Sequence, residues 1–219
     1  MTQELTALML TAATIGVVHT LLGPDHYLPF VALARARNWT GFKMAWITAV
    51  CGLGHVLSSV VLGLIGVAIG TAVTRLEFVE SVRGDLAAWA LIAFGLVYTV
   101  WGIRRAGRRH SHRHALQDLQ YDNKKSGSVS IWAIFLIFVL GPCEPLIPLL
   151  MYPAAKQSMT GMVVVVAVFS LTTITTMTAL AVVLRLGVKR LRFGRLEHYS
   201  HAMAGLAITV CGVSIQLGL

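Results

Sequence analysis

The segment His19-Thr20-Leu21-Leu22-Gly23-Pro24-Asp25-His26 places two imidazoles and one carboxylate inside an apolar run that extends from Leu5 to Leu33. Ionisable groups at membrane depth are costly, and they usually mark a functional site. The Gly-Pro pair interrupts the helix where these groups lie, because proline has no backbone N–H and its ring clashes with the preceding turn. We therefore predict a first helix that is broken around a polar site.

The composition indicates a multi-pass membrane protein. Of the 219 residues, 56% are hydrophobic and only 12% are charged, which is too apolar for the surface of an ordinary soluble domain. The net charge of +9 does not indicate nucleic-acid binding, because the basic residues form short clusters between apolar segments instead of one basic face. The N-terminus lacks the basic region of a cleavable signal peptide, so we expect the first span to remain in the mature protein.

Six apolar segments are long enough to cross a bilayer, which takes about 20 residues of helix. They are Leu5 to Leu33, Lys43 to Val73, Leu86 to Ile103, Ser130 to Met151, Met162 to Leu186 and Tyr199 to Leu217. Most Lys and Arg residues fall in the first, third and fifth connections. Because cytoplasmic loops are enriched in these residues, we expect both termini to face outside, in a bacterial inner membrane.

The two halves of the chain resemble each other. Gly23–Pro29 in span one is matched by Gly141–Pro148 in span four, and Gly95–Gly102 in span three by Gly205–Gly212 in span six. Because each half has three spans, the second half must cross the membrane in the opposite sense. The predicted fold is an all-α membrane protein of six transmembrane helices, arranged as two inverted three-helix repeats with spans one and four broken at Gly-Pro. Residues 1–104 form the first repeat, 105–129 a basic cytoplasmic linker and 130–219 the second repeat.

Interrupted spans at corresponding positions of two repeats point to a transporter's substrate site. Imidazole and carboxylate ligands together suit first-row divalent metals. The candidate ligands are His19, Asp25, His26 and His55 from the first half, with Glu144 and Cys143 from the second.

These residues also have other interpretations. Asp25 could orient His26 through a hydrogen bond instead of binding the ion, and the partner of this pair could be a proton. A single intramembrane histidine such as His55 could simply bridge two helices. A lone buried cysteine such as Cys143 is usually inert packing.

Three other features carry weaker signals. The hydroxyl-rich segment Ser170–Thr178 could line a pathway, or its side chains could bond back to their own helix. The loop with His110, His112 and His114 could collect metal, although its interleaved arginines favour a solvated positive loop. Cys51 and Cys211 are interpreted as core packing, and no disulfide is predicted.

The pattern His19-(five residues)-Asp25-His26, with His55 in the second span, resembles the signature of nickel/cobalt permeases, especially the urease-accessory type. The best-known version of that signature has one residue fewer between the histidine and the Asp-His pair. The resemblance implies a permease with these residues as ion ligands, and the altered spacing bears on which metal is bound.

The segment Gly141-Pro142-Cys143-Glu144-Pro145 resembles a motif of membrane thiol-disulfide electron carriers in cytochrome c biogenesis, a related inverted-repeat fold. Those carriers use one cysteine in each half. Here Asp25 stands at the position that matches Cys143, and disulfide exchange needs both an attacking and a leaving thiol. A sulfite or organosulfur exporter of the same broad fold is a further alternative, disfavoured because carboxylates at the repeat interface would repel an anion.

We therefore expect a transporter, not an enzyme, for a divalent transition-metal cation, with nickel or cobalt first and zinc or iron also allowed. The ion would bind near the membrane midplane, and His26 and Glu144 would face each other across the pseudo-twofold axis. The expected partners are the metal ion and membrane lipid, without a resident cofactor or nucleic acid. A homo-oligomer is left open.

Overall fold

The computed structural model describes residues 3–70, 73–108, 131–143, 145–156, 158–190 and 194–218, and all regular secondary structure in these ranges is helical. The helices are α1 Gln3–Leu22, α2 Leu28–Ala36, α3 Gly41–Ala68, α4 Val73–Arg108, α5 Ile131–Leu140, α6 Leu146–Ala155, α7 Met159–Arg190 and α8 Ser200–Gln216. Two short 3-10 segments cover Pro24–His26 and Gly194–Tyr199. Within the described ranges, α1, α3, α4 and α7 are each long and apolar enough to cross a bilayer. The prediction of an all-α, multi-pass membrane protein is confirmed, whereas six spans, the inverted repeat and the direction of the termini stay predictions.

Helical structure stops at both Gly-Pro pairs. The first helix ends at Leu22, a 3-10 turn follows over Pro24–His26, and α2 begins at Leu28. In the second half, α5 ends at Leu140 and α6 begins at Leu146. The segments predicted as spans one and four are therefore each divided into two helices.

Helix α4 begins earlier than the sequence predicted. We expected span three to begin at Leu86 and assigned the acidic segment before it to a connection, but α4 starts at Val73. The added turns contain Glu80, which is fully buried and pairs with Arg83 at 2.6 Å. Helix α4 contains the whole predicted span and extends beyond it at both ends. Hydropathy does not locate the start of the helix, because it counts each charge separately and does not register Glu80 and Arg83 as a pair of opposite charges. The helix also continues four residues past the predicted end of the first repeat at residue 104.

Helices α4 and α8 cross through paired glycines. A Cβ added to Gly95 would meet the Thr209 hydroxyl, and a Cβ added to Gly205 would meet the Thr99 hydroxyl. A glycine of α4 thus contacts a threonine of α8, and a glycine of α8 contacts a threonine of α4 in the same way. Further along, Gly102 lies against Ala202, so the two helices run antiparallel. Close helix approach of this kind depends on small residues at the crossing.

Opposite ends of the helical bundle have different polar contacts. At one end, Arg35 donates to the Val188 carbonyl at 2.8 Å and Arg185 donates to the Trp39 carbonyl at 2.7 Å. These bonds join α2 and the connection between α2 and α3 to the end of α7. At the other end, Lys156 pairs with Glu4 at 2.8 Å, and this hydrogen bond raises the pKa of Lys156. Between these ends lies an apolar cluster with side chains of α2, α3, α5, α7 and α8, among them Phe30, Met44, Phe138, Met177 and Ile208.

Candidate metal site

Three histidine rings meet at the first helix break. His19 lies in the last turn of α1, His26 ends the 3-10 turn, and His55 lies near the middle of α3. The ring centroids of His19 and His26 are 4.8 Å apart, and those of His26 and His55 are 5.2 Å apart. One ring nitrogen from each histidine lies within 4.8 Å of the other two. On an unbroken helix His19 and His26 would be separated by about 10.5 Å along the axis, so the break is what brings them together.

The Nε2 atoms of these histidines have no hydrogen-bond partners in the part of the chain that the structure describes. His26 and His55 are each 4% exposed, and His19 is half-buried. In all three residues Nε2 is buried and makes no hydrogen bond to any part of the chain that the structure describes. A buried polar atom left in this state costs free energy, and it calls for a specific explanation. Because all three histidines belong to one cluster of rings, these atoms point to a site for a ligand that accepts nitrogen lone pairs.

In His26 and His55 the second ring nitrogen, Nδ1, lies close to an oxygen of the chain. Nδ1 of His55 lies 3.3 Å from the Phe138 carbonyl oxygen. Nδ1 of His26 lies 3.1 Å from the Gly23 carbonyl oxygen and 3.3 Å from a carboxylate oxygen of Asp25. Because these oxygens only accept, we assign the hydrogen to Nδ1 in both rings, which leaves the lone pair on Nε2. Histidines that bind metals usually donate their second ring N–H in this way.

Asp25 lies beside His26 and outside the nitrogen cluster. This geometry matches the interpretation in which Asp25 orients the ring. Gly23 leaves room for that arrangement, since a Cβ at this position would stand 2.5 Å from Nδ1 of His26 and 3.0 Å from the Asp25 carboxylate.

The second helix break contacts His55, one of the three clustered histidines. Pro142 cannot donate to the Phe138 carbonyl, and His55 supplies a donor in its place. Gly141 also lies against this ring, because a Cβ there would be 3.4 Å from Nδ1 of His55. Cys143 is fully buried, and its backbone N–H donates to the Ser59 hydroxyl at 3.1 Å, one turn beyond His55.

The predicted site residues are therefore only partly brought together. Among the described residues, the group that could share one ion consists of His19, His26 and His55, without Asp25 or Cys143. Glu144 lies outside the described residues, as does the loop with His110, His112 and His114. The facing of His26 and Glu144 accordingly stays a prediction.

The hydroxyl-rich segment of α7 divides into two kinds of residue. Ser170, Thr172 and Thr175 donate to carbonyls of their own helix. Thr173 is fully buried beside Gly16, and its hydroxyl has no hydrogen-bond partner among the described residues. The Thr178 hydroxyl is likewise buried without a hydrogen-bond partner among the described residues, so Thr173 and Thr178 keep polar capacity that a pathway could use.

Sequence reasoning missed the contacts of Arg83. One guanidinium nitrogen bonds the buried Glu80 at 2.6 Å, and another donates to the Ser58 hydroxyl at 2.8 Å and to the Val139 carbonyl at 3.0 Å. The spacing of opposite charges three residues apart on a helix was a usable signal. It was overlooked because residues 74–85 were assigned to a loop.

A family model described as "Cytochrome C biogenesis protein transmembrane region" matches residues 27–214. The matched range contains His55, the second helix break and the α4–α8 crossing, and it begins immediately after His26. No curated protein and no solved structure matches the chain.

Proposed function

The chain belongs to the family of cytochrome c biogenesis protein transmembrane regions, and we propose that within this membrane framework it transports a divalent transition-metal cation. Two observations on His19, His26 and His55 carry this proposal. One ring nitrogen from each histidine lies within 4.8 Å of the other two, and the buried Nε2 of each has no hydrogen-bond partner among the described residues. Nickel and cobalt are the first candidates because the histidine and aspartate pattern resembles that of nickel/cobalt permeases. Zinc and iron accept the same donor types.

The spacing of the three imidazoles fits one metal ion. An ion bonded to imidazole nitrogens at about 2.1 Å in tetrahedral geometry holds them about 3.4 Å apart. The nitrogens lie within 4.8 Å of one another, so side-chain rotations need to bring them closer by at most about 1.4 Å. Three protein ligands leave a fourth position for water or an entering group, as in metal sites that exchange their ligands. That property suits an ion that must leave again.

The transport mechanism would be alternating access by two inverted repeats. The reciprocal contacts of Gly95 with Thr209 and of Gly205 with Thr99 support a twofold relation between the halves. Both helix breaks approach His55, so rocking of one repeat against the other would change the surroundings of the ion. The positive-inside pattern supports termini on the outer side of a bacterial inner membrane.

Uptake is the simpler direction for this transporter. The sequence has no nucleotide-binding motif, so transport would be driven by the ion gradient, the membrane potential or protons. A proton-coupled exporter is the alternative to uptake. A membrane potential contributes about 2.3 kcal/mol per charge per 100 mV. An interior that is negative by about 100 mV therefore favours entry of a divalent cation by roughly 4.6 kcal/mol.

Flux through purified protein in liposomes tests the proposal. Nickel and cobalt uptake under an inside-negative potential should exceed that of a His26→Ala, Asp25→Ala variant. His201→Ala is the matched control, because this imidazole contacts Tyr98 on α4 and not the cluster. Equal flux in the wild type and the double variant would refute transport through this site. Metal binding without flux would instead indicate an assembly or sensor protein.

A thiol-disulfide electron carrier is the second candidate, and the family match favours it over metal transport. The described cysteines Cys51, Cys143 and Cys211 are buried and form no disulfide with one another. Only Cys143 lies at a helix break, so a reaction would start with attack of its thiolate on a partner's disulfide, forming a mixed disulfide and releasing one partner thiolate. Trapping that mixed disulfide with a thioredoxin-like partner, and losing it in Cys143→Ser, would establish the second candidate.

A further inference from the structure

A buried ion pair on α4 lies beside the second helix break. Glu80 is fully buried, and the Arg83 side chain is 18% exposed. Buried ion pairs are often no better for stability than apolar residues of the same size. Charged groups inside a membrane protein are by default candidates for a functional role.

Arg83 connects three helices. Its guanidinium donates to the Ser58 hydroxyl on α3 and to the Val139 carbonyl at the end of α5. Ser58 in turn donates to the His55 carbonyl at 2.8 Å. The side chain of Arg83 therefore links α4 to the turn of α3 that carries His55.

The contact with Val139 replaces a bond that the helix break removes. In a continuous helix the Val139 carbonyl would accept from the backbone N–H of Cys143. That N–H donates to Ser59 instead. The guanidinium of Arg83 thus supplies the missing donor, and it holds the peptide directly after Phe138, whose carbonyl is the acceptor for His55.

The neighbouring residue Gly84 sets the distance between α4 and the same break. A Cβ at Gly84 would stand 2.9 Å from Cγ of Pro142. Two consecutive residues of α4 therefore determine where the end of α5 lies, one through hydrogen bonds and the other through close approach.

We propose that Arg83, held by Glu80, is a positioning residue of the metal site. It fixes the end of α5 so that the Phe138 carbonyl retains the Nδ1–H of His55, and Nε2 remains directed at the ion. This role rests on the proposed function. Removing the hydrogen-bond partner of a metal-binding histidine typically lowers metal affinity 10–100-fold, so an indirect displacement of that partner should cost about tenfold.

Two variants of the full-length protein test this role by titration with Ni²⁺ and Co²⁺. Arg83→Lys keeps the charge beside Glu80 but loses the planar fork that reaches several acceptors at once. Gly84→Ala keeps every charge, favours the helical state locally and presses on Pro142. Each variant should bind metal about tenfold more weakly than the wild type. Arg75→Lys, at an exposed position of α4, and Gly107→Ala, where an added Cβ meets nothing within 4 Å, should bind like the wild type.

Thermal unfolding of each variant separates positioning from a general loss of structure. A positioning role lowers the affinity of protein that is still folded and alters the visible absorption of bound Co²⁺, which reports its ligand geometry. If Arg83→Lys does not fold, Gly84→Ala decides the question. Wild-type affinity in folded Arg83→Lys or Gly84→Ala would overturn the positioning role alone, whereas a wild type that binds no metal would overturn the proposed function as well.

Discussion

Alanine in place of Gly23 would push directly on the ring of His26. The added Cβ would stand 2.5 Å from Nδ1 and 2.9 Å from Cε1 of that ring. Ordinary contacts between such atoms are about 3.5 Å, so the ring must move by about 1 Å. Metal–ligand bonds tolerate deviations of only about 0.2 Å. We therefore expect Gly23→Ala to weaken metal binding about 10- to 100-fold, the loss typical of a disturbed histidine ligand.

The backbone itself gives no reason for Gly23→Ala to unfold the protein. Gly23 has φ −90° and ψ 90°, an extended conformation that alanine also adopts and that the residue before a proline favours. Replacing a glycine at such a position lowers the entropy of the unfolded chain, which is worth about 0.4–1 kcal/mol. This gain offsets part of the cost of overpacking against the His26 ring, which is about 1–3 kcal/mol. The expected signature is a loss of metal affinity in protein that still folds.

Titration with Ni²⁺ or Co²⁺ measures the affinity of Gly23→Ala, and thermal unfolding without metal measures its stability. Gly187→Ala is the control, because a Cβ added there meets nothing within 4 Å. Binding by Gly23→Ala within twofold of the wild type would refute the assignment of His26 as a ligand in this geometry.

Three other changes probe separate parts of the structure. Asp25→Asn keeps an oxygen near Nδ1 of His26 but removes the charge, so metal titration should show a severalfold weaker affinity. Asp25→Ala should weaken the affinity further. Equal affinities in the wild type, Asp25→Asn and Asp25→Ala would contradict the orienting role of Asp25. Gly95→Ala and Gly205→Ala should each destabilise the protein by about 1–3 kcal/mol in a denaturation assay, since both overpack the same α4–α8 crossing. A large difference between the two losses of stability would contradict the equivalence of the two glycine–threonine contacts. Cys143→Ser should leave Ni²⁺ affinity unchanged, because Cys143 lies outside the group that can share one ion; a tenfold loss would add Cys143 to the ligands.

The sequence predicted those parts of the structure that depend on local chemistry. The Gly-Pro pairs do interrupt the helices, because the missing N–H of Pro24 and Pro142 acts on its own segment. The convergence of His19, His26 and His55 depends on how far the chain turns at the break and how α3 packs against it, and neither is encoded at a single position. The long α4 was missed for the same reason, since Glu80 becomes tolerable inside the protein only when Arg83 lies beside it.

The helix break and the proposed metal site would depend on each other. Three buried Nε2 atoms that have no partner among the described residues are unfavourable, and so is a helix interruption inside a membrane protein, unless each finds a partner. A cation bound by His19 from α1, by His26 from the 3-10 turn and by His55 from α3 would satisfy the nitrogens and hold the interrupted segments together. Because a ligand stabilises the state that it binds, metal should slow amide hydrogen exchange in residues 23–27 more than in the centre of α7. Equal protection of both regions would show that the break is rigid without the ion, and the site would then be preformed by protein contacts alone.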